Sequence, residues 1–263
     1  MELGLEGKTA IVTGGSKGIG RATALALLNE GASVLICARG QQNLDETLAA
    51  AGHGVRERID AVAADLMQMR AIKQVVARCI ERFGRIDILV NNAGSARPGD
   101  FLELTDEAWV DDWTLKFFGY VRMAREVLPH MQRQHSGVII NIIGAGGLNP
   151  TGNYMIGGAA NAALNHFTKA LADAAAKYGV RVAGVNPGPI LTERLLKMRG
   201  ALAPTAPSQR DDDDSFRRMT PLGRIGKPAE VADLVLFLVS DRGAFIHGAN
   251  ISIDGGTTKG LMG

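Results

Sequence analysis

Short apolar runs rich in β-branched residues alternate with longer stretches of helical periodicity along the whole chain. The runs that predict strands are Thr9–Val12, Ser33–Ile36, Ala61–Ala64, Ile86–Val90, Val138–Ile142, Arg181–Val185 and Asn250–Ile253. The stretches that predict helices are Arg21–Glu30, Leu44–Ala51, Ala71–Phe83, Asp106–Gln132, Ala159–Lys177 and Pro228–Val239. Strands that are apolar on both faces and separated by helices form parallel sheets covered on both sides. The pattern therefore predicts an α/β fold in which residues 1–263 form one doubly wound domain, a seven-stranded parallel sheet with helices on both faces.

Glycine is the residue in excess. The chain has 33 glycines among 263 residues, whereas average usage is about 7%. No G-X-Y repeat is present, and only 5% of the residues are aromatic, which excludes collagen and argues against an all-β sandwich. The glycines are therefore expected in tight turns and where the backbone approaches a ligand closely.

Charge and cysteine content limit the partners and the compartment. A net charge of +2 gives no reason to expect a nucleic acid or an acidic membrane as partner. The longest apolar stretch, Val231–Val239, is much shorter than the ~20 residues of a membrane-spanning helix. Cys37 and Cys79 lie in apolar segments, which predicts buried, reduced thiols and a cytoplasmic protein. The five histidines lack metal-ligand spacing, so no metal site is predicted.

A glycine-rich turn follows the first predicted strand directly and leads into a helix at Arg21. Its predicted cofactor-binding residues are Gly14, Ser16, Lys17, Gly18, Ile19 and Gly20. Three glycines at this spacing allow a sharp turn and bring backbone amides and the helix N-terminus onto a pyrophosphate. The turn therefore predicts a Rossmann-type dinucleotide site.

The end of the second predicted strand indicates which dinucleotide is bound. Folds selective for NAD place an acidic residue there to hold the ribose 2′-hydroxyl. This chain has Ala38 and then Arg39, with Lys17 in the neighbouring turn. Two cations without a carboxylate suit a 2′-phosphate, so NADP is the predicted cofactor. The alternative is that both basic side chains are simply solvated.

Four further motifs, in order, make the chain resemble the short-chain dehydrogenase/reductase family over nearly its whole length. They are Asp65, Asn91-Asn92-Ala93-Gly94, Asn186-Pro187-Gly188-Pro189-Ile190-Leu191-Thr192, and the ending from Asn250 to Asp254-Gly255-Gly256. The resemblance implies a nicotinamide dinucleotide bound also by Asp65, Leu66, Asn91, Ala93, Gly94, Pro187, Gly188, Ile190 and Thr192. It further implies hydride transfer to a carbonyl or from a secondary alcohol, with a homotetramer or homodimer formed through the Asp106–Gln132 segment.

The family's catalytic residues are absent from their expected positions. Members of the family use a tyrosine as general acid or base, a lysine four residues later, a serine and an asparagine. Counting without gaps between the motifs places the asparagine at Lys116 and the serine at Gly144. The tyrosine falls on Gly157 and the lysine on Asn161. All four positions depart from the family pattern.

Three interpretations follow. In the first, Tyr154 leans into the space left at Gly157, Lys116 supplies the cation lost at Asn161, and the Asn161 amide still bonds the ribose hydroxyls. In the second, the chain binds NADP without catalysis, as a sensor, scaffold or inert subunit. In the third, Lys116 is the base of a non-redox reaction. Against these stand plainer alternatives: Tyr154 fills space, Lys116 extends to solvent, and Asn161 is an ordinary helix residue.

One long segment, 191–221, interrupts the alternation after the sixth predicted strand. It contains Pro204, Pro207 and the acidic run Asp211–Asp214. Ligands bind beyond the carboxyl ends of parallel strands, so a lid over a small-molecule carbonyl or alcohol substrate is predicted here. A solvated acidic loop explains four adjacent aspartates equally well.

Overall fold

All seven predicted strands are present and parallel in the computed structural model, which describes residues 2–196 and 218–260. The strands are β1 Thr9–Thr13, β2 Ser33–Ala38, β3 Ile59–Ala63, β4 Ile88–Asn91, β5 Gly137–Ile142, β6 Val180–Pro187 and β7 Asn250–Ile253. Their order across the sheet is β3-β2-β1-β4-β5-β6-β7. The predicted fold class, a doubly wound parallel sheet, is therefore confirmed.

Helices cover both faces of the sheet. They are α1 Gly18–Asn29, α2 Gln41–Ala50, α3 Met69–Phe83, α4 Asp106–Trp113, α5 Gly119–Gln134, α6 Met155–Ala176 and α7 Pro228–Val239. In β1 the side chains of Ala10 and Val12 join the core with α1 and α7, and Ile11 joins the opposite core with α3 and α5. This alternation follows from the two-residue period of a strand.

Two helix predictions were wrong in ways that matter for the site. The predicted helix Asp106–Gln132 is two helices joined by a π-helical turn, Thr114–Phe118, which contains Lys116. The predicted helix Ala159–Lys177 begins four residues earlier, at Met155, so Gly157 lies in its first turn. Glycine and proline clusters before residue 155 concealed this helix start, because both residues favour turns.

The strand order reverses between β1 and β4, and this reversal fixes the place of the site. The chain moves outward from β1 through β2 to β3 and then returns to the other side of β1 with β4. At such a point two loops diverge beyond the carboxyl ends of neighbouring strands and leave a crevice. The glycine-rich turn after β1 and the residues from Asn91 to Gly94 after β4 lie at this crevice.

Three features outside the crevice bear on the sequence expectations. Cys37 and Cys79 are buried free thiols, and burial raises the pKa of each to about 12. In the described ranges, 2–196 and 218–260, no helix is long and apolar enough to cross a membrane. The same residues contain no cluster of three or more acidic, histidine or cysteine side chains that could hold a metal ion.

Candidate active site

The turn after β1 requires glycine for two reasons. At some positions the backbone conformation favours glycine, and at others a side chain would clash with neighbouring atoms. Gly14 and Gly18 have φ of +65° and +54°, in the left-handed region that favours glycine. A Cβ at Gly20 would overlap the Gly14 carbonyl oxygen and the Asn92 amide. The turn is therefore closed tightly against its own backbone at the start of α1, where unpaired N–H groups favour an anion.

Thr13 and Asn92 join this turn to the end of β4. The Thr13 hydroxyl oxygen accepts hydrogen bonds from the backbone N–H of Asn92 (2.9 Å) and of Ala93 (3.0 Å). The Asn92 amide in return donates to the carbonyl oxygens of Thr13 (2.9 Å) and Gly14 (3.2 Å). Sequence reasoning included Ala93 but not these two residues, although a polar side chain directly beside each motif was the available signal.

The two basic residues predicted for the 2′-phosphate are both exposed, with different surroundings. Lys17 Nζ lies 2.7 Å from a carboxylate oxygen of Glu193. Arg39 has no hydrogen bond or ion pair to any other described residue. Ser16 precedes Lys17 in the turn, and its carbonyl oxygen accepts a 3.2 Å hydrogen bond from the Thr47 hydroxyl.

The remaining predicted cofactor residues line the same edge of the sheet. Asp65 Oδ1 accepts from the N–H of Met67 (3.1 Å), and Leu66 is buried. Asn91 is fully buried, and its amide donates to Asn141 (3.0 Å). The residues that complete the edge are Pro187, the last residue of β6, and Gly188, Ile190 and Thr192 after it.

The segment after β6 packs closely against its neighbours. Gly188 donates its N–H to the carbonyl oxygen of Ile253 (3.0 Å), and a Cβ at Gly188 would lie 2.6 Å from Cβ of Asp254. A Cβ at Gly18 would lie 3.1 Å from Cγ2 of Thr192. Thr192 therefore lies over the glycine-rich turn, at the position expected for closure on a bound dinucleotide.

The side chain of Tyr154 occupies the space beside Gly157. A Cβ built at Gly157 would lie 2.5 Å from both Cε1 and the hydroxyl oxygen of Tyr154. Tyr154 is not on the helix, as the first interpretation assumed, but is the N-cap residue of α6, and its ring lies against the first turn. The hydroxyl group thus lies close to the helix backbone and extends less far into the crevice than a tyrosine at position 157 would.

Gly144 leaves space for the side chain of Asn161, as Gly157 does for the side chain of Tyr154. Gly144 has φ of +127°, and a Cβ there would lie 3.0 Å from the Asn161 amide nitrogen. Asn161 is 2% exposed, and its Oδ1 has no hydrogen-bond partner among the described residues. Gly144 and Asn161, the residues predicted to replace the family's serine and lysine, are therefore sterically linked.

Arg194 brings a cation to Tyr154 that sequence reasoning missed. Its Nη2 donates to the Tyr154 hydroxyl oxygen (3.3 Å), and its Nη1 donates to the Gly94 carbonyl oxygen (2.8 Å). Arg194 thereby connects the segment after β6 to the end of β4 across the crevice. Its position two residues after Thr192 in the family motif was the only sequence signal.

Lys116 is buried instead of extending to solvent. It is 5% exposed, and Nζ donates to the carbonyl oxygen of Ile143 (2.8 Å). Burial, with a smaller contribution from the positive charge of Arg194, lowers the pKa of Lys116 to about 7. A Cβ at Gly94 would lie 2.9 Å from Cδ of Lys116, so the lysine stem requires a glycine there.

Replacing Lys116 with methionine is expected to stabilise the protein more at pH 6 than at pH 8.5. The folded state gives up the Lys116 proton near pH 7, whereas the unfolded chain keeps it to about 10.5, so stability of the native protein rises across that interval. The methionine variant lacks this rise. We expect the Tm of the variant minus the Tm of the native protein to be smaller at pH 8.5 than at pH 6 by roughly 4–8 °C, which corresponds to about 2 kcal/mol.

Thermal unfolding at both pH values measures this difference, and replacing the exposed Lys73 with methionine is the control. The hydrogen bond to Ile143 is absent from the Lys116→Met variant at both pH values. A Tm difference that is the same at both pH values would show that Lys116 keeps its proton in the folded state.

Comparison with known proteins connects this geometry to a family. A family model described as enoyl-(acyl carrier protein) reductase matches residues 14–258. A 3-oxoacyl-(acyl-carrier-protein) reductase from Thermotoga maritima is 34% identical over 252 residues, which are 96% of this chain and 98% of that protein.

Solved structures of enzyme complexes superpose on the whole chain. The crystal structure of L-sorbose reductase from Gluconobacter frateurii, complexed with NADPH and L-sorbose, has a TM-score of 0.92 and 33% identity over 99% of this chain and 100% of that one. A 3-ketoacyl-(acyl-carrier-protein) reductase from Brucella melitensis, complexed with NADH, has a TM-score of 0.85 and 27% identity over 97% and 99%.

Proposed function

Because the chain belongs to the short-chain dehydrogenase/reductase family, we propose that it is an NADP(H)-dependent oxidoreductase with a rebuilt catalytic site. Its substrate is a small molecule with a carbonyl group or a secondary alcohol. The observation that carries the proposal is the Tyr154 ring beside Gly157, with its hydroxyl oxygen bonded to Arg194.

The described residues fit a dinucleotide cofactor. The glycine-rich turn leads directly into the N-terminus of α1, whose first N–H groups favour an anion, and Arg39 is exposed at the end of β2 without an ion-pair partner in the described residues. Gluconobacter L-sorbose reductase was crystallised with NADPH. When bound, the reduced cofactor supplies the hydride, and the protein supplies orientation and a proton.

In this proposal Tyr154 moves the proton. Its hydroxyl group gives a proton to the carbonyl oxygen as the alcohol forms, and takes it back in the reverse direction. Arg194 stabilises the phenolate left behind, because its guanidinium group is always charged. Asn161 offers its buried Oδ1 to a hydroxyl group of the cofactor, and Lys116 positions the end of β5 through the Ile143 carbonyl.

A second candidate function rests on one observation. Since the pKa of Lys116 is lowered to about 7, this lysine is a base at neutral pH and suits an isomerisation or elimination without redox change. Product formation without net consumption of NADPH would favour this second function over the first.

We also propose a lid, an oligomer and a compartment. Of the predicted lid, 191–221, residues 197–217 lie outside the described residues. Exposed Val110 and Phe118 on the α4–α5 segment support a homo-oligomer, a tetramer or dimer, and the two buried thiols support a cytoplasmic location. No nucleic-acid or membrane partner is proposed.

Replacing Arg39 with glutamine is expected to weaken NADPH binding about 10- to 100-fold, because hydrogen bonds to charged groups contribute about 1.5–3 kcal/mol. NADH lacks the 2′-phosphate, so its affinity is expected to stay unchanged. Titration of cofactor fluorescence with the native protein and the variant measures both constants. Equal weakening for NADPH and NADH would contradict the assignment of Arg39 to the 2′-phosphate.

A further inference from the structure

The crevice beside Tyr154 contains two basic side chains and no acidic partner for either among residues 2–196 and 218–260. Arg194 donates to a backbone carbonyl oxygen and a tyrosine hydroxyl oxygen, both neutral. Lys116 donates to the backbone carbonyl oxygen of Ile143, also neutral. Burial and the positive charge of Arg194 lower the pKa of Lys116, so Arg194 is the group that stays charged at neutral pH.

Three other arginines have carboxylate partners or more hydrogen bonds than Arg194 has. Arg85 forms two hydrogen bonds to the carboxylate of Asp87, at 2.8 and 2.7 Å. Arg97 pairs with Asp111 and Asp112. Arg181 donates to four backbone carbonyl oxygens near the end of α7. Arg194 uses two of its five N–H groups, and one of its two bonds is long at 3.3 Å.

Binding of an anionic ligand would compensate the positive charge of Arg194. The Arg194 guanidinium group is charged at every physiological pH, and in the described residues its partners are neutral oxygen atoms, so its charge is left uncompensated in a partly buried crevice. A guanidinium group presents a planar fork of N–H donors that matches the two oxygens of a carboxylate. The Arg194 guanidinium group already lies beside the proposed proton donor, so a ligand bound there is next to the reacting group.

We infer that the substrate carries a carboxylate group, which Arg194 binds, while its carbonyl or alcohol oxygen is hydrogen-bonded to the Tyr154 hydroxyl group. Since a single guanidinium group would contact both the carboxylate and the hydroxyl, the two functional groups are only a few bonds apart. The substrate class is therefore a short oxo acid or the corresponding hydroxy acid. This inference rests on the proposed function for the place of the reacting carbon.

Binding tests the inference without requiring turnover. The probes are malonate and its neutral counterpart malonamide, added to the NADPH-saturated protein at constant ionic strength, with thermal unfolding as the readout. Malonate is expected to raise the Tm of the native protein and of Arg82→Gln, a control that loses an exposed arginine bound to the Glu57 carbonyl oxygen. In Arg194→Gln the affinity for malonate is expected to fall about 10- to 100-fold.

Three binding results would overturn the inference. They are no Tm increase with malonate in the native protein, an equal increase in Arg194→Gln, and an equal increase with malonamide. Loss of NADPH affinity in Arg194→Gln, with no effect of malonate, would assign Arg194 to a cofactor phosphate instead and would also overturn it.

Turnover separates the inference from the proposed function. Pyruvate and acetoacetate are compared with their methyl esters, and kcat/KM is expected to be at least 10-fold higher for the acids in the native protein but not in Arg194→Gln. Equal values for acids and esters would overturn the inference and leave the oxidoreductase function standing. Malonate binding through Arg194 without turnover of any carbonyl compound would support the anion site and contradict the proposed function.

Discussion

Replacing Tyr154 with phenylalanine is expected to lower kcat by about 10²- to 10⁴-fold, the usual contribution of a positioned general acid. The change removes one oxygen atom and keeps the ring that lies beside Gly157. The hydrogen bond from Arg194 Nη2 is lost with it. The dissociation constant of NADPH is expected to stay unchanged, because the phosphate-binding turn is held by Thr13 and Asn92.

Steady-state rates and cofactor titrations measure the two quantities separately. Tyr178→Phe is the matched control, since Tyr178 packs against the core on the α3, α5 and α6 side of the sheet. If the Tyr154→Phe variant had the native kcat, Tyr154 would not be the proton donor. The oxidoreductase function would then require a different proton donor.

Replacing Gly157 with alanine is expected to have opposite effects on stability in two backgrounds. In the native protein the new Cβ would meet Cε1 and the hydroxyl oxygen of Tyr154, so the ring must move, and overpacking of this kind costs about 1–3 kcal/mol. In a Tyr154→Ala background that space is empty. There alanine is expected to stabilise α6 by about 0.5–1 kcal/mol, because glycine in a helix is less favourable than alanine.

The displaced ring also moves the hydroxyl group away from Arg194, so Gly157→Ala is expected to lower kcat nearly as much as Tyr154→Phe does. Chemical denaturation of the native protein, the two single variants and the double variant gives the coupling between the two positions. Additive changes in the free energy of unfolding, or an unchanged kcat in Gly157→Ala, would show that Tyr154 does not depend on the missing side chain at position 157.

The fold could be predicted because it depends on local patterns. Every strand of the sheet reads as an apolar run, and the all-buried sequence of β1 leads directly into a turn with three closely spaced glycines. The spacing between motifs also assigns Gly144 and Gly157 to the family's serine and tyrosine positions, and this assignment stays a prediction. The ends of elements were less accurate, as the early start of α6 at Met155 shows.

The partners of Tyr154 could not be predicted in the same way. Arg194 is 40 residues away along the chain, and its contact depends on the path of the segment after β6. No periodicity encodes that path. Lys116 was predicted to act at the site, but its burial against Ile143 follows from a π-helical turn inside what reads as one continuous helix. Side-chain contacts between distant loops are tertiary properties, and the proposed catalytic arrangement consists mainly of these.

The most direct test of a rebuilt oxidoreductase site is the transfer of deuterium from C4-deuterated NADPH to a panel of short oxo acids and neutral ketones, followed by mass spectrometry of the alcohols. Our account predicts deuterium on the carbinol carbon of at least one product with the native protein, and a rate lower by about 10²-fold or more with Tyr154→Phe. Tight binding of NADPH with no deuterium in any product would contradict it.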